Sequence, residues 1–225
     1  MDIVPRIVLL KSHYKEPIDF WIINYNNLSF QDQILDLLDI PRNKIIPSIN
    51  HFNFHVCAKK LIIASHVSPN NTPSHLAIKS IRGLFQTPVH VKKQRKIYVK
   101  RNGGRHLINE KEVIETLTAM NFEIIIPEEL TIEQQREVFS NSCFIVSAHG
   151  SALVNIVFAQ KDTKVIDIFS ATWINPCYAI LSNIANLKYG YLIGKTLPGI
   201  RENDKGANIL IDVDDLKNLI KKMES

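Results

Sequence analysis

The segment Ser147-Ala148-His149-Gly150-Ser151-Ala152-Leu153-Val154-Asn155 joins a hydrophobic strand pattern to a helix pattern that begins near Ser151. A polar His-Gly at the carboxyl end of a parallel strand lies where open α/β sheets bind ligands. A helix start offers N–H groups without intrahelical partners and a partial positive charge, which suits an anion such as a pyrophosphate. Gly150 has no Cβ, so a ligand can come close to the backbone there. A buried turn around a core histidine fits the same residues, and local pattern does not separate the two readings.

Two further groups fall at strand ends. Lys100-Arg101-Asn102-Gly103-Gly104-Arg105 follows the strand pattern of Ile97 to Lys100. Arginines flanking a Gly-Gly loop can hold a diphosphate bidentately; a solvated basic turn is the other reading. Asp167 sits near the end of the strand pattern Val165 to Phe169, where a carboxylate can accept hydrogen bonds from a ribose diol. A helix cap or a strand-end ion pair is the alternative there. Together the three groups describe a nucleotide-diphosphate pocket, with Arg101, Arg105 and the Gly150-Ser151-Ala152 turn for phosphate and Asp167 for sugar.

Other chemistries lack their signatures. There is no G-x-G-x-x-G fingerprint and no G-x-x-x-x-G-K-[ST] loop. Histidines such as His13, His55 and His90 are scattered, so no metal site and no cofactor is expected. Lys92 to Arg105 holds seven basic residues and no acidic one, a composition that suits nucleic acid. Ile97 and Val99 alternate as a strand within it and no aromatic platform repeats, which argues against that partner. A basic protein that binds anionic surfaces remains a third reading.

The elements that must position these residues are legible in outline. Before residue 88, short apolar runs at Phe20–Asn24, Ile45-Ile46 and Leu61–Ala64 read as strands. Ser29–Leu38, capped by Ser29, and Pro73–Phe85, with Leu76, Ile81, Leu84 and Phe85 inward, read as helices. Gln86–Arg95 reads as a linker. Beyond it strands and helices alternate with short connections. Strands are expected at 97–100, 122–126, 143–148, 165–169 and 191–193, with an edge strand at 209–211. Helices are expected from Asn109 and from Thr131, each opened by a capping-box pattern, then at 151, 176–185 and 213–223. Right-handed crossovers make such a chain a doubly wound parallel sheet. The expected architecture is α/β: a complete Rossmann-like lobe over 89–225, preceded by a smaller, partial α/β lobe over 1–88.

Composition agrees with a folded domain. The 225 residues are 45% hydrophobic and 22% charged, and the net charge of +5 favours anionic ligands. Three cysteines without metal spacing argue against a disulfide scaffold. No basic leader with a long apolar core opens the chain, so a cytoplasmic location is expected, with peripheral membrane association as a further option.

Several motifs together resemble glycosyltransferase family 61. They are Ile97-Tyr98-Val99-Lys100-Arg101, Arg105, Asn109-Glu110, Phe122-Glu123, Pro127-Glu128, Glu133-Gln134, Phe139-Ser140 and His149-Gly150-Ser151-Ala152-Leu153 with Asn155. Phe30-Gln31 through Leu38-Asp39-Ile40 is similar to the family's "FQ…LLGI" segment, with Asp39 in place of glycine. The resemblance implies a GT-B-like enzyme with two Rossmann-like lobes. It also implies inverting, metal-independent transfer of a sugar from a nucleotide-sugar donor to a glycan hydroxyl. Arg101, Arg105, Gly150, Ser151, Ala152, Asn155 and Asp167 then fall at the donor, and His149 and Asp2 at the catalytic positions. Asp167 replaces the commoner glutamate. Met1-Asp2-Ile3-Val4-Pro5-Arg6-Ile7 is similar to the tail of the family's "YYHW-(L/M)-(D/E)-x-LPR" segment without its Tyr-His-Trp part. A shortened first lobe, or half of a split enzyme, is the expectation that follows, with a non-catalytic nucleotide-sugar binder as the alternative function.

Overall fold

The computed structural model describes residues 2–48, 54–68, 72–86, 93–195 and 204–225. The chain divides into two compact units, Met1–Gln86 and Thr87–Ser225. Residues 87–92, most of the expected linker, lie outside the described residues.

The amino-terminal unit is built from α1 (Ile3–His13), β1 (Trp21–Ile23), α2 (Ser29–Leu37), β2 (Ile45–Pro47) and α3 (His75–Leu84). β1 and β2 pair in parallel, with Trp21 opposite Ile45. Ile7, Leu35, Leu38 and Ile40 form its buried centre, with Trp21, Ile34 and Leu84 packed against them. Asp39 ends α2 in the left-handed conformation at φ 50°, a region that Asp tolerates better than most residues.

Several expectations are corrected in this unit. Leu61–Ala64 makes no strand, and Leu61 and Ile63 are exposed at 65% and 73%. What holds this segment is the Arg6 guanidinium, which donates to the Ala64 carbonyl at 2.8 and 3.1 Å. Ser29 is the first helical residue, not the cap; Leu28 holds that place, and the Gln31 side chain accepts from its N–H. Leu76 is exposed, while Ile81 and Phe85 are buried as expected, joined by Ala77 and Ile78.

The carboxyl-terminal unit holds β3 (Arg95–Val99), α4 (Glu110–Ala119), β4 (Phe122–Ile125), α5 (Ile132–Ser140), β5 (Ser142–Ala148), β6 (Lys164–Phe169), α6 (Cys177–Ile184), β7 (Lys188–Ile193) and α7 (Val213–Glu224). The five strands are parallel throughout, in the order β4-β3-β5-β6-β7. Central strands of such a sheet are covered on both faces, which is why β5 and β6 read as near-continuous apolar runs. One face carries Tyr98, Phe122, Phe144, Val146, Ile166 and Ile168, packed with Val113 and Leu117 of α4 and Leu216 and Ile220 of α7. The other carries Ile97, Val99, Ile145, Ser147, Val165, Asp167 and Phe169, all buried. Burying a side chain such as Ile166 or Leu216 contributes roughly 1.5–3 kcal/mol.

Local signals fix the starts of α5 and α7. Thr131 accepts from the Gln134 N–H at 3.2 Å, and the Gln134 side chain accepts from the Thr131 N–H at 2.8 Å. Asp212 caps α7 through the Asp214 N–H at 3.1 Å. The box expected at Asn109 does not form: its amide donates to Glu112 Oε2 and to the Ile211 carbonyl, tying residues 209–211 to the start of α4. Those residues make isolated bridges, Leu107 with Ile209 and Lys195 with Leu210, not an edge strand. Residues Ser151–Phe158 form 3-10 turns in place of an α-helix. Leu153, Ile156, Val157 and Phe158 are all buried there, so burial on several sides, not one amphipathic stripe, holds the segment.

Candidate functional site

In this sheet the chain grows from β3 to β4 on one side, then from β5 onward on the other. The carboxyl ends of β3 and β5 therefore flank the switch point, where ligands enter open α/β sheets. Arg101 leaves β3 and crosses to β5. Its Nε donates to the Gly104 carbonyl at 2.5 Å and its Nη1 to the His149 carbonyl at 3.3 Å. A Cβ on Gly150 would lie 1.5 Å from Arg101 Nη1. The group that needs Gly150 bare is thus the Arg101 guanidinium.

Arg105 turns back in the left-handed conformation at φ 64° and lays its guanidinium over the Trp173 ring, 5.0 Å from the centroid. Its Nη1 is buried with no hydrogen-bond partner among the described residues. Neither Arg101 nor Arg105 forms an ion pair among the described residues. Burial, then the neighbouring charge of Arg105, pulls the Arg101 pKa below its ordinary value. Two guanidinia without an ion pair among the described residues thus lie at a switch point, an arrangement whose chemistry suits an anion.

Beneath them His149 is buried, 3% exposed. Its Nδ1 lies 2.9 Å from Asp167 Oδ2 and 3.2 Å from Oδ1. The ring stacks on Phe169 at 4.7 Å and meets Trp173 at 5.2 Å and Tyr178 at 5.1 Å between centroids. Asp167 is 0% exposed and also accepts from the Tyr189 hydroxyl at 3.0 Å. Burial raises its pKa, while the hydrogen bond from His149 acts in the opposite sense. The ribose contact expected of Asp167 is corrected accordingly: a carboxylate with no exposed surface, occupied by imidazole and phenol, presents nothing to a sugar.

The other expected residues divide. Ser151, exposed, and Ala152, half-buried, open the 3-10 turns beside Gly150, where Leu153 N–H donates to the Gly150 carbonyl. Asn155 is turned away: its amide donates to Gln135 Oε1 of α5 at 2.7 Å, a packing contact. Asp2 belongs to the amino-terminal unit, 3.7 Å from Arg6 Nη1 and 3.4 Å from His66 Nδ1. No group of three or more His, Cys, Asp or Glu that could hold a metal occurs among the described residues. No helix among them is long and apolar enough to cross a membrane.

Sequence reasoning missed Trp173, Tyr178 and Tyr189. Trp173 lies between β6 and α6, and an aromatic residue after a strand end was the available signal. Tyr189 was hidden by register: β7 sets it opposite Val165, one same-face step from Asp167.

A sequence profile of the family Glycosyltransferase 61 matches residues 1–166. The chain belongs to the glycosyltransferase 61 family. The matched region takes in Asp2, Arg101, Arg105 and the His149-Gly150 junction of this family member and stops just before Asp167. Among curated proteins, a β-1,2-xylosyltransferase, RCN11 of Oryza sativa subsp. japonica, is 27% identical over 92 residues. That stretch is 41% of this chain and 16% of the rice protein, so the chain matches about a sixth of that relative's length.

Proposed function

We propose that this chain is a GT-B-like glycosyltransferase. It moves a sugar from a nucleotide-sugar donor to a glycan hydroxyl, with inversion and without a metal. In this reading residues 89–225 hold the donor and residues 1–88 serve the acceptor. The observation that carries it is the pair Arg101 and Arg105, two guanidinia without ion-pair partners at the switch point, one with a buried Nη1 that bonds to nothing among the described residues. Family membership supports it, and the rice relative's printed activity is a sugar transfer.

The chemistry follows from charge. When the glycosidic bond to the nucleoside diphosphate breaks, negative charge develops on the leaving phosphate. Arg101, Arg105 and the N–H groups of the Gly150-Ser151-Ala152 turn offer fixed donors to that charge in a partly desolvated place. They substitute for the cation that would otherwise neutralise it. A base takes the proton of the attacking hydroxyl; Asp2 is the residue proposed for it.

Calorimetric titration with uridine and guanosine diphosphates and their sugar conjugates tests the donor site. Replacing Arg101 with alanine should weaken binding by roughly 1.5–3 kcal/mol, the range for a charge-assisted hydrogen bond. Unchanged affinity would remove Arg101 from the site, and no binding of any nucleoside diphosphate by the unaltered chain would end the reading.

A further inference from the structure

Three side chains, from β6, from β7 and from the residue that follows β5, meet beside the Gly150 turn. The β7 residue Tyr189 donates its hydroxyl proton to Asp167 on β6, and Asp167 meets Nδ1 of His149 at the end of β5. The carboxylate has no exposed surface and His149 almost none. A buried carboxylate that takes a phenol proton on Oδ2 is ordered before any ligand arrives, since a free rotor would strand its oxygens away from donors. His149 Nε2 has no hydrogen-bond partner among the described residues, and Phe169, Trp173 and Tyr178 close around the ring. The main chain of His149 meanwhile carries the carbonyl on which Arg101 rests. One residue thus links the buried relay to the guanidinium above it.

We infer that Asp167 and Tyr189 are positioning residues that lock His149 with its proton on Nδ1. The lock leaves Nε2 as the ring's free nitrogen and holds the His149 carbonyl where it receives Arg101. An ionised Asp167 can only accept, so Nδ1 must donate. Nδ1 and Nε2 lie across the ring from each other, and a ring pinned at one has the other turned away from Asp167. The hydroxyl of Tyr189 shares the charge of the carboxylate and keeps it from swinging. The role as a nucleotide-site support rests on the donor reading above; the tautomer does not.

The test uses the full chain labelled with 15N in its histidine rings. Long-range proton–nitrogen spectra report which ring nitrogen of His149 carries the proton, with His149→Gln assigning the signal. In the unaltered chain Nδ1 should be protonated. In Asp167→Asn the ring should lose that fixed tautomer, because the amide can donate to Nδ1 as well as accept from it, and affinity for uridine or guanosine diphosphate should fall about tenfold or more. In Tyr189→Phe the tautomer should persist while the Nδ1 proton moves downfield, since the carboxylate then gives its charge to fewer donors. Nucleotide affinity should fall severalfold.

A neutral ring protonated on Nε2 in the unaltered chain overturns the inference. So does an Nδ1 signal that ignores both substitutions, or a lost tautomer with full nucleotide affinity. Should Asp167→Asn fail to fold, Tyr189→Phe carries the decision alone. If the unaltered chain binds no nucleoside diphosphate, the donor reading fails, and the spectra still decide whether Asp167 and Tyr189 set the ring.

Discussion

Gly150 is held to glycine by a neighbour and not by its own backbone. Its φ of −179° is extended, a conformation any residue adopts, yet a Cβ would fall on the Arg101 guanidinium. Gly150→Ala should therefore act through Arg101. The side chain must leave its bond to the His149 carbonyl, and nucleotide affinity should fall by much of what Arg101→Ala loses. The double variant should be little worse than either single one, because both remove the same interaction. Calorimetry on the three variants checks this; additive losses would mean that Gly150 serves the ligand directly. At this scale the arginines and the His-Gly pair were legible, because polar residues that follow apolar strand patterns stand out from them. The partner of Asp167 was not. Whether a carboxylate at a strand end faces a ligand or a histidine is decided by register across β5, β6 and β7, and register is set by pairing that no single segment encodes.

The element whose local signal closes on itself was readable, and those that depend on partners were not. The Thr131 box opens α5 as its residues require, since both of its hydrogen bonds lie within four residues. Leu61-Ile62-Ile63-Ala64 has the composition of a strand and pairs with no strand among the described residues. Helix α1 was missed because Ile3, Val4, Ile7, Val8, Leu9 and Leu10 run nearly unbroken, without the polar spacing that marks an amphipathic helix. Helix α2 supplies a prediction on acid stability. Asp32 accepts from Tyr25 Oη at 2.6 Å and from Arg42 Nε at 2.8 Å, which binds α2 to the turn at 42–44. Those hydrogen bonds, first from Tyr25 and then from Arg42, hold its pKa below the usual 3.8. A carboxyl lowered on folding stabilises fully above its unfolded pKa, and the gain is lost as pH falls through the folded one. Below about pH 4 the melting temperature should therefore drop, and Asp32→Asn should melt lower at pH 7 and show a shallower decline in acid. Parallel pH profiles of the two proteins would remove Asp32 from the acid response.

At the scale of the whole chain, strand–helix alternation announced a doubly wound parallel sheet over the second unit, while the order of its strands did not show in the sequence. The step from β4 over β3 to β5 is made by α5, whose periodicity looks the same whichever side it crosses. That step creates the switch point on which the proposed donor site rests. Every proposed phosphate ligand comes from the carboxyl-terminal unit, and the proposed base, Asp2, from the amino-terminal one. Binding and transfer should therefore separate by mutation. Asp2→Asn keeps the size of the side chain and removes its charge and basicity. Nucleoside diphosphate affinity should stay as it is. Sugar transfer, followed as free nucleoside diphosphate released in the presence of a glycan acceptor, should fall by about 10²–10⁴, the range for losing a general base. Donor hydrolysis without acceptor should change far less, because water is abundant and needs no positioned acceptor. If transfer persists in the variant, Asp2 serves only as the partner of Arg6 and His66, and the base must be sought elsewhere.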